Sequence, residues 1–171
     1  MLLKSMPKEG EKAPAFTAQD QDGRTVRLID LKGKKVVLFF YPEDDTPTCT
    51  AEVCNLRDNN AALKAAGYEV IGVSPDDADS HKVFHQKFKL PFILLADKAK
   101  KIINAYGVWG PKKLYGREYE GMHRTTFLIN EQGVIERVIT GVRTKIHTQQ
   151  ILRPAGAAMH PSPRNTKANN Q

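Results

Sequence analysis

Residues 36–41 are an unbroken apolar run, Val36-Val37-Leu38-Phe39-Phe40-Tyr41, the pattern of a strand covered on both faces. Beyond it Val53, Leu56 and Leu63 recur at helical spacing, and Gly67 marks the expected end of one long helix. Residues 68–73 form a second apolar run. An Asp- and Pro-rich loop over 74–80 then leads into a helix with Phe84 and Phe88 four apart, which ends before Pro91. Residues 92–96 predict a third strand. Ala99, Ile102, Ile103 and Tyr106 stripe a further helix that Gly107 ends, and a long Gly-rich loop is expected from there to Gly121. Two hairpins frame these units. The turn Asp20-Gln21-Asp22-Gly23 joins segments around Phe16 and 26–29, and Asn130-Glu131-Gln132-Gly133 joins Thr125–Ile129 to 134–139. Alternation of strands and helices with a terminal hairpin predicts an α/β sandwich with a central mixed β-sheet flanked by helices and an N-terminal β-hairpin.

A short helical stretch near 146–152 closes the pattern. Pro154, Gly156, Pro161 and Pro163, among Ser, Asn and Thr, leave nothing to build a core. The expected organisation is one domain over 1–152 and a disordered tail over 153–171. With 171 residues, 40% hydrophobic and 26% charged, the chain has the composition of a soluble globular protein. No run approaches the roughly 20 apolar residues that span a bilayer. The first residues lack the apolar core of a secretory signal, so the expected location is cytoplasmic and no membrane partner is expected. Of the net charge of +7, Arg153, Arg164 and Lys167 fall in the tail with no acid beside them. The remaining charges are interspersed, and no basic run carries interleaved aromatics, which argues against nucleic-acid binding.

The two cysteines change the picture. A secreted disulfide scaffold would have more of them in a shorter chain, so Cys49 and Cys54 suggest redox chemistry or a metal site. Cys49 falls between the first apolar strand and the helix after it, near a helix N-terminus where free N–H groups and the dipole favour an anion. A thiolate is the nucleophilic form of cysteine, so this junction suits a reactive one. The flanking Thr46-Pro47-Thr48-Cys49-Thr50 is hydroxyl-rich and ill suited to an apolar core; a small buried hydrophobe is the expectation for Cys54 instead.

The stretch Pro42-Glu43-Asp44-Asp45-Thr46-Pro47-Thr48-Cys49 resembles the active-site signature of the peroxiredoxins. Cys49-Thr50-Ala51-Glu52-Val53-Cys54-Asn55-Leu56-Arg57-Asp58, Gly107-Val108-Trp109-Gly110 and His123-Arg124-Thr125-Thr126-Phe127-Leu128-Ile129 are similar to the bacterioferritin comigratory protein, or peroxiredoxin Q, subfamily. The resemblance spans about residues 6 to 150. Thr48 departs from it, standing where glycine is usual. The resemblance implies a thioredoxin-like fold and an antioxidant thiol peroxidase that reduces hydrogen peroxide and organic hydroperoxides. By it, Cys49 is the peroxidatic nucleophile and Cys54 the resolving cysteine. Pro42 shields the pocket, Thr46 hydrogen-bonds sulfur or peroxide, and Arg124 holds the thiolate and polarises the peroxide bond. It further implies thioredoxin or a similar dithiol as reductant, a monomer, and no cofactor or metal.

Geometry adds one expectation. Residues five apart on an ideal helix lie roughly 8.7 Å apart at Cα, whereas a disulfide usually needs less than about 7 Å. Closure between Cys49 and Cys54 in one helix therefore requires local unwinding. Rival readings are weaker. His81 and His85 lie one turn apart and could complete a zinc tetrahedron with the cysteines, but the gap from Cys54 is long, and solvent-facing helix histidines are expected. A thiol–disulfide oxidoreductase is the nearer alternative, although that chemistry typically separates its cysteines by two residues. A binding module would use Trp109, Tyr115 and Tyr119 as a contact surface.

Overall fold

The computed structural model describes residues 5–153. Strand β1 (Thr17–Gln19) pairs antiparallel with β2 (Thr25–Arg27), and β3 is Lys35–Phe40. After α1 (Pro47–Asp58) and α2 (Asn60–Ala65) come β4 (Tyr68–Ser74), α3 (Ala78–Phe88), β5 (Ile93–Ala96) and α4 (Lys101–Ala105). A separate hairpin, β6 (Trp109–Leu114) with β7 (Arg117–Met122), precedes β8 (Thr125–Ile129), β9 (Ile135–Ile139) and α5 (His147–Leu152). The main sheet runs β2-β1-β5-β4-β3-β8-β9. Its centre, β3, β4 and β5, is parallel, and its outer pairings are antiparallel. This is the mixed α/β sheet that the sequence pattern predicts.

Side chains of β3 alternate between two cores, as the two-residue period of a strand requires. Val36, Leu38 and Phe40 pack with Ile102 and Ile103 of α4 and with Tyr106 just after it on one face. Val37, Phe39 and Tyr41 pack on the other with Val53 and Leu56 of α1, Leu63 of α2, Phe84 of α3 and Ile151 of α5. A strand buried on both faces has no polar alternation to display, which is why 36–41 reads as a continuous run. Gly72 in β4 makes room for the side chains of its neighbours in the sheet, Phe39 of β3 and Leu94 of β5. A Cβ there would lie 2.7 Å from Phe39 Cζ and 2.8 Å from Leu94 Cδ2.

The structure differs from the sequence expectations in three places. The helix expected across 53–63 is two helices, because Asn59 turns its side chain back to the Asn55 carbonyl (2.8 Å) in competition with the helical backbone. The expected loop up to Gly121 is the β6–β7 hairpin, turned at Tyr115 and Gly116, both at positive φ (52° and 78°) as a tight hairpin demands. Both faces of that hairpin are largely exposed, so no apolar period announced it. Leu28 and Ile29, expected in a strand, begin a 3-10 turn, Leu28–Leu31. No helix among the described residues is long and apolar enough to cross a membrane. The expectation for the tail lies, from residue 154 onward, outside the described residues.

Candidate active site

Cys49 sits in the first turn of α1, because Thr46 caps that helix and Pro47 opens it. The Cys49 N–H donates to Thr46 Oγ1 (3.4 Å), the Thr50 N–H to the Thr46 carbonyl (2.8 Å), and the Thr46 hydroxyl to the Glu43 carbonyl (3.5 Å). Asp45, at φ 60°, makes the bend just before the cap. Pro42 is half-buried where the chain leaves β3. Contrary to expectation, Cys49 is the buried thiol, at 1% exposure among Val53, Tyr41 and Phe39, and Cys54 is half-buried. Both are free thiols within the intact α1.

Arg124 arrives from the opposite side. Pairing of β3 with β8 sets Phe40 against Thr125, which brings Arg124 beside the exit of β3, where the loop to Cys49 begins. Its Nη2 donates to Cys49 Sγ at 3.2 Å and its Nη1 to Glu52 Oε1 at 2.5 Å. Burial opposes the guanidinium charge, but Glu52 and Cys49 outweigh it and hold Arg124 above its ordinary value. A permanently charged fork therefore faces the sulfur. Thr46, Cys49 and Arg124 converge as the sequence suggests.

Two groups at the site carried no signal that sequence reasoning used. Glu52, fully buried, lies one helical turn beyond Cys49, and burial raises its carboxyl to about 7 against the opposing pull of Arg124. His147 of α5, also fully buried, approaches Glu52 Oε2 at 3.7 Å and is lowered to about 4, chiefly by burial. Their helical offset from Cys49 and their side-chain types gave no hint of burial, since acids and histidines are usually exposed.

The loop itself is anchored from behind. The Tyr41 hydroxyl donates to Asp44 Oδ1 (2.6 Å), Ser80 Oγ donates to Asp44 Oδ2 (2.7 Å), and the Asp44 N–H donates to Asp76 Oδ2 (2.8 Å). His81 is wholly buried, not solvent-facing, with Nδ1 2.8 Å from Asp44 Oδ2 and Nε2 2.9 Å from the Leu95 carbonyl. Among the described residues, Cys49, Cys54, His81 and His85 form no group that could hold a metal ion. Asp44, Asp76 and His81 do bring one potential ligand atom each within 4.8 Å of one another. Those atoms are already engaged with Tyr41, Ser74, Ser80 and the backbone. Of the loop aromatics, Tyr115 is fully exposed at the hairpin tip, whereas Trp109 is half-buried with Lys100 Nζ 4.7 Å above its ring.

Comparison with known proteins shows the family. The model of the AhpC/TSA family matches residues 10–138. Peroxiredoxin Bcp of Escherichia coli is 42% identical over 145 residues, covering 85% of this chain and 93% of the relative. Among solved structures, peroxidoxin BcpB from Mycobacterium tuberculosis superposes with a TM-score of 0.74 at 30% identity, over 85% of this chain and 94% of the other. The bacterioferritin comigratory protein of Xanthomonas campestris gives 0.75 at 28% identity, over 80% and 87%. The mixed sheet is thus that of the thioredoxin-fold peroxiredoxins. The chain belongs to the AhpC/TSA family, and within it to the peroxiredoxins of the bacterioferritin comigratory protein, or peroxiredoxin Q, type, which makes it a thiol peroxidase.

Proposed function

We infer that this peroxidase reduces hydrogen peroxide and organic hydroperoxides through Cys49, forms an intramolecular disulfide with Cys54, and is recycled by thioredoxin in the cytoplasm as an antioxidant enzyme. The observation that carries the reading is the 3.2 Å contact from Arg124 Nη2 to Cys49 Sγ in the first turn of α1. A guanidinium at that distance stabilises a thiolate and, beside it, the charge that grows on the departing oxygen. The thiolate attacks the nearer peroxide oxygen. The S–O bond forms as the O–O bond breaks, and the leaving oxygen takes a proton to become water or an alcohol. Thr46 holds the turn and offers its hydroxyl to the peroxide, and Pro42 covers the pocket.

The Cys54 thiol then condenses with the sulfenic acid: the S–S bond forms as the Cys49 S–O bond breaks, the leaving hydroxide takes the Cys54 proton to become water, and an external dithiol reduces the disulfide by exchange. Both cysteines start inside one intact helix, so closure needs α1 to open. The relative from Xanthomonas campestris is described with alkyl peroxide reduction activity, which supports organic hydroperoxides as substrates here. The test is consumption of NADPH by the protein with thioredoxin, thioredoxin reductase and a series of peroxides. Peroxide-dependent turnover is expected. Thioredoxin-dependent reduction of protein disulfides without peroxide consumption would instead identify a thiol–disulfide oxidoreductase.

A further inference from the structure

Glu52 Oε2 is a fully buried oxygen with no hydrogen-bond partner among the described residues. Such an atom is costly as half of a bare carboxylate. His147 Nε2 lies 3.7 Å from it. The protonation of His147 follows from its other contacts. The Gln150 amide is oriented by the Arg143 N–H, which donates to its Oε1 (2.9 Å), and by the Gly141 carbonyl, which accepts from its Nε2 (2.8 Å). His147 Nδ1 faces that Oε1 at 2.9 Å, so Nδ1 bears the hydrogen. In the neutral ring Nε2 is then a lone pair, with the Thr126 hydroxyl at 2.7 Å. Burial, helped by Arg124 and Arg137 nearby, disfavours a second proton on the ring. With that lone pair taken by the Thr126 hydroxyl, His147 has no proton to offer Glu52 Oε2, and the buried oxygen is less costly carrying a proton of its own than as half of a bare carboxylate.

Charge leads to the same assignment. Arg124 is one cation contacting two acids, Cys49 through Nη2 and Glu52 through Nη1. One anion neutralises it, and a second would be buried in excess.

We propose that Glu52, backed by His147, keeps the charge of the site constant, holding a proton while Cys49 is a thiolate and giving it up when the thiolate is oxidised. This rests on the reading of Cys49 as the peroxidatic residue. The step balances as thiolate plus hydroperoxide plus Glu52 carboxylic acid giving sulfenic acid plus alcohol plus Glu52 carboxylate. The sulfur gives two electrons to the peroxide, the O–O bond breaks, and the proton count of the leaving oxygen is met by the proton Glu52 loses. Arg124 exchanges one anionic partner for the other and stays neutralised throughout. Glu52 and His147 act through Arg124 and are positioning residues. The value of about 7 for Glu52 puts this exchange within reach at neutral pH.

The test reads protons. In Cys54→Ser protein, where the sulfenic acid persists, peroxide is added near neutral pH in weak buffer with a pH indicator, and sulfenic acid is counted by trapping. With Glu52 present, far less than one proton should be taken up per sulfenic acid, and with Glu52→Gln about one, supplied by solvent. Equal uptake in the two proteins overturns the inference. An infrared difference spectrum of the same reaction needs no Glu52 variant. A protonated-carboxyl band should disappear on oxidation and should be shifted in His147→Gln; a spectrum without such a loss also overturns it. Absence of any sulfenic acid would instead remove the peroxidatic reading of Cys49, and this inference with it.

Discussion

Asn55, the residue after Cys54, holds Thr148 in the first turn of α5. Asn55 Oδ1 accepts from the Thr148 N–H and from the Thr148 hydroxyl, both at 2.8 Å, while Asn55 Nδ2 donates to the Lys145 carbonyl at 2.9 Å. The helix that would have to open for the proposed disulfide is thus fastened to the C-terminal helix beside Cys54. Asn55→Ala removes this clamp. It should cost about 1–3 kcal/mol of stability and speed closure of the disulfide after peroxide, read as melting temperature and as the rate of sulfenic acid disappearance. Closure at an unchanged rate in a destabilised protein would mean that the clamp is not part of the motion.

Amide exchange across 47–58 should be much faster in the disulfide form than in the reduced form, with smaller changes in β3 and β4. The cause is the separation of the two cysteines along an intact helix, roughly 8.7 Å at Cα by ideal geometry. Equal protection in both redox states would contradict unwinding while leaving the peroxidase chemistry intact.

Arg124→Lys keeps a charge and loses the fork that reaches Cys49 and Glu52 together. The second-order rate with hydrogen peroxide should drop by about 10²-fold, the scale of losing one preorganised donor. Alkylation of Cys49 at neutral pH should slow as well. A rate within twofold of the parent (roughly RT ln 2 of barrier) would make Arg124 structural.

Glu52 and His147 act on stability with opposite signs. The Glu52 carboxyl, raised from 4.5 to about 7 in the folded protein, contributes stability that is full below 4.5 and is lost as pH rises through about 7. His147, lowered from 6.5 to about 4, contributes stability that is present above 6.5 and is lost as pH falls through about 4. Each effect is on the order of 3 kcal/mol, and over the shared window the two largely offset one another. Denaturant unfolding should therefore be nearly flat between these limits in the parent protein. It should weaken toward acid in Glu52→Gln and toward neutral pH in His147→Gln. Parallel profiles in all three proteins would remove the coupling.

The strands of the sheet were legible because β3, β4 and β5 are buried on both faces and carry continuous apolar runs. The β6–β7 hairpin was not, since exposed strands leave no apolar period and only the Tyr115-Gly116 turn defines them. At the site, Cys49, Thr46 and Arg124 lie in motifs and could be named from them, and their convergence follows from the β3–β8 register. Glu52 and His147 were invisible because their roles depend on burial and on a contact between α1 and α5, which spacing does not reveal. The burial of His81 is hidden for the same reason. On a helix of mixed polarity its imidazole points inward, to an Asp44 that the sequence places 37 residues away.

The roles of Cys49 and Cys54 are tested most directly by a single exposure of each serine variant to one equivalent of hydrogen peroxide, with sulfenic acid trapped and thiols counted by mass. Cys54→Ser should consume the peroxide and carry the trapped adduct on Cys49, while Cys49→Ser should leave the peroxide unreacted and Cys54 unmodified. Rapid peroxide consumption by Cys49→Ser, with the adduct on Cys54, would contradict the account.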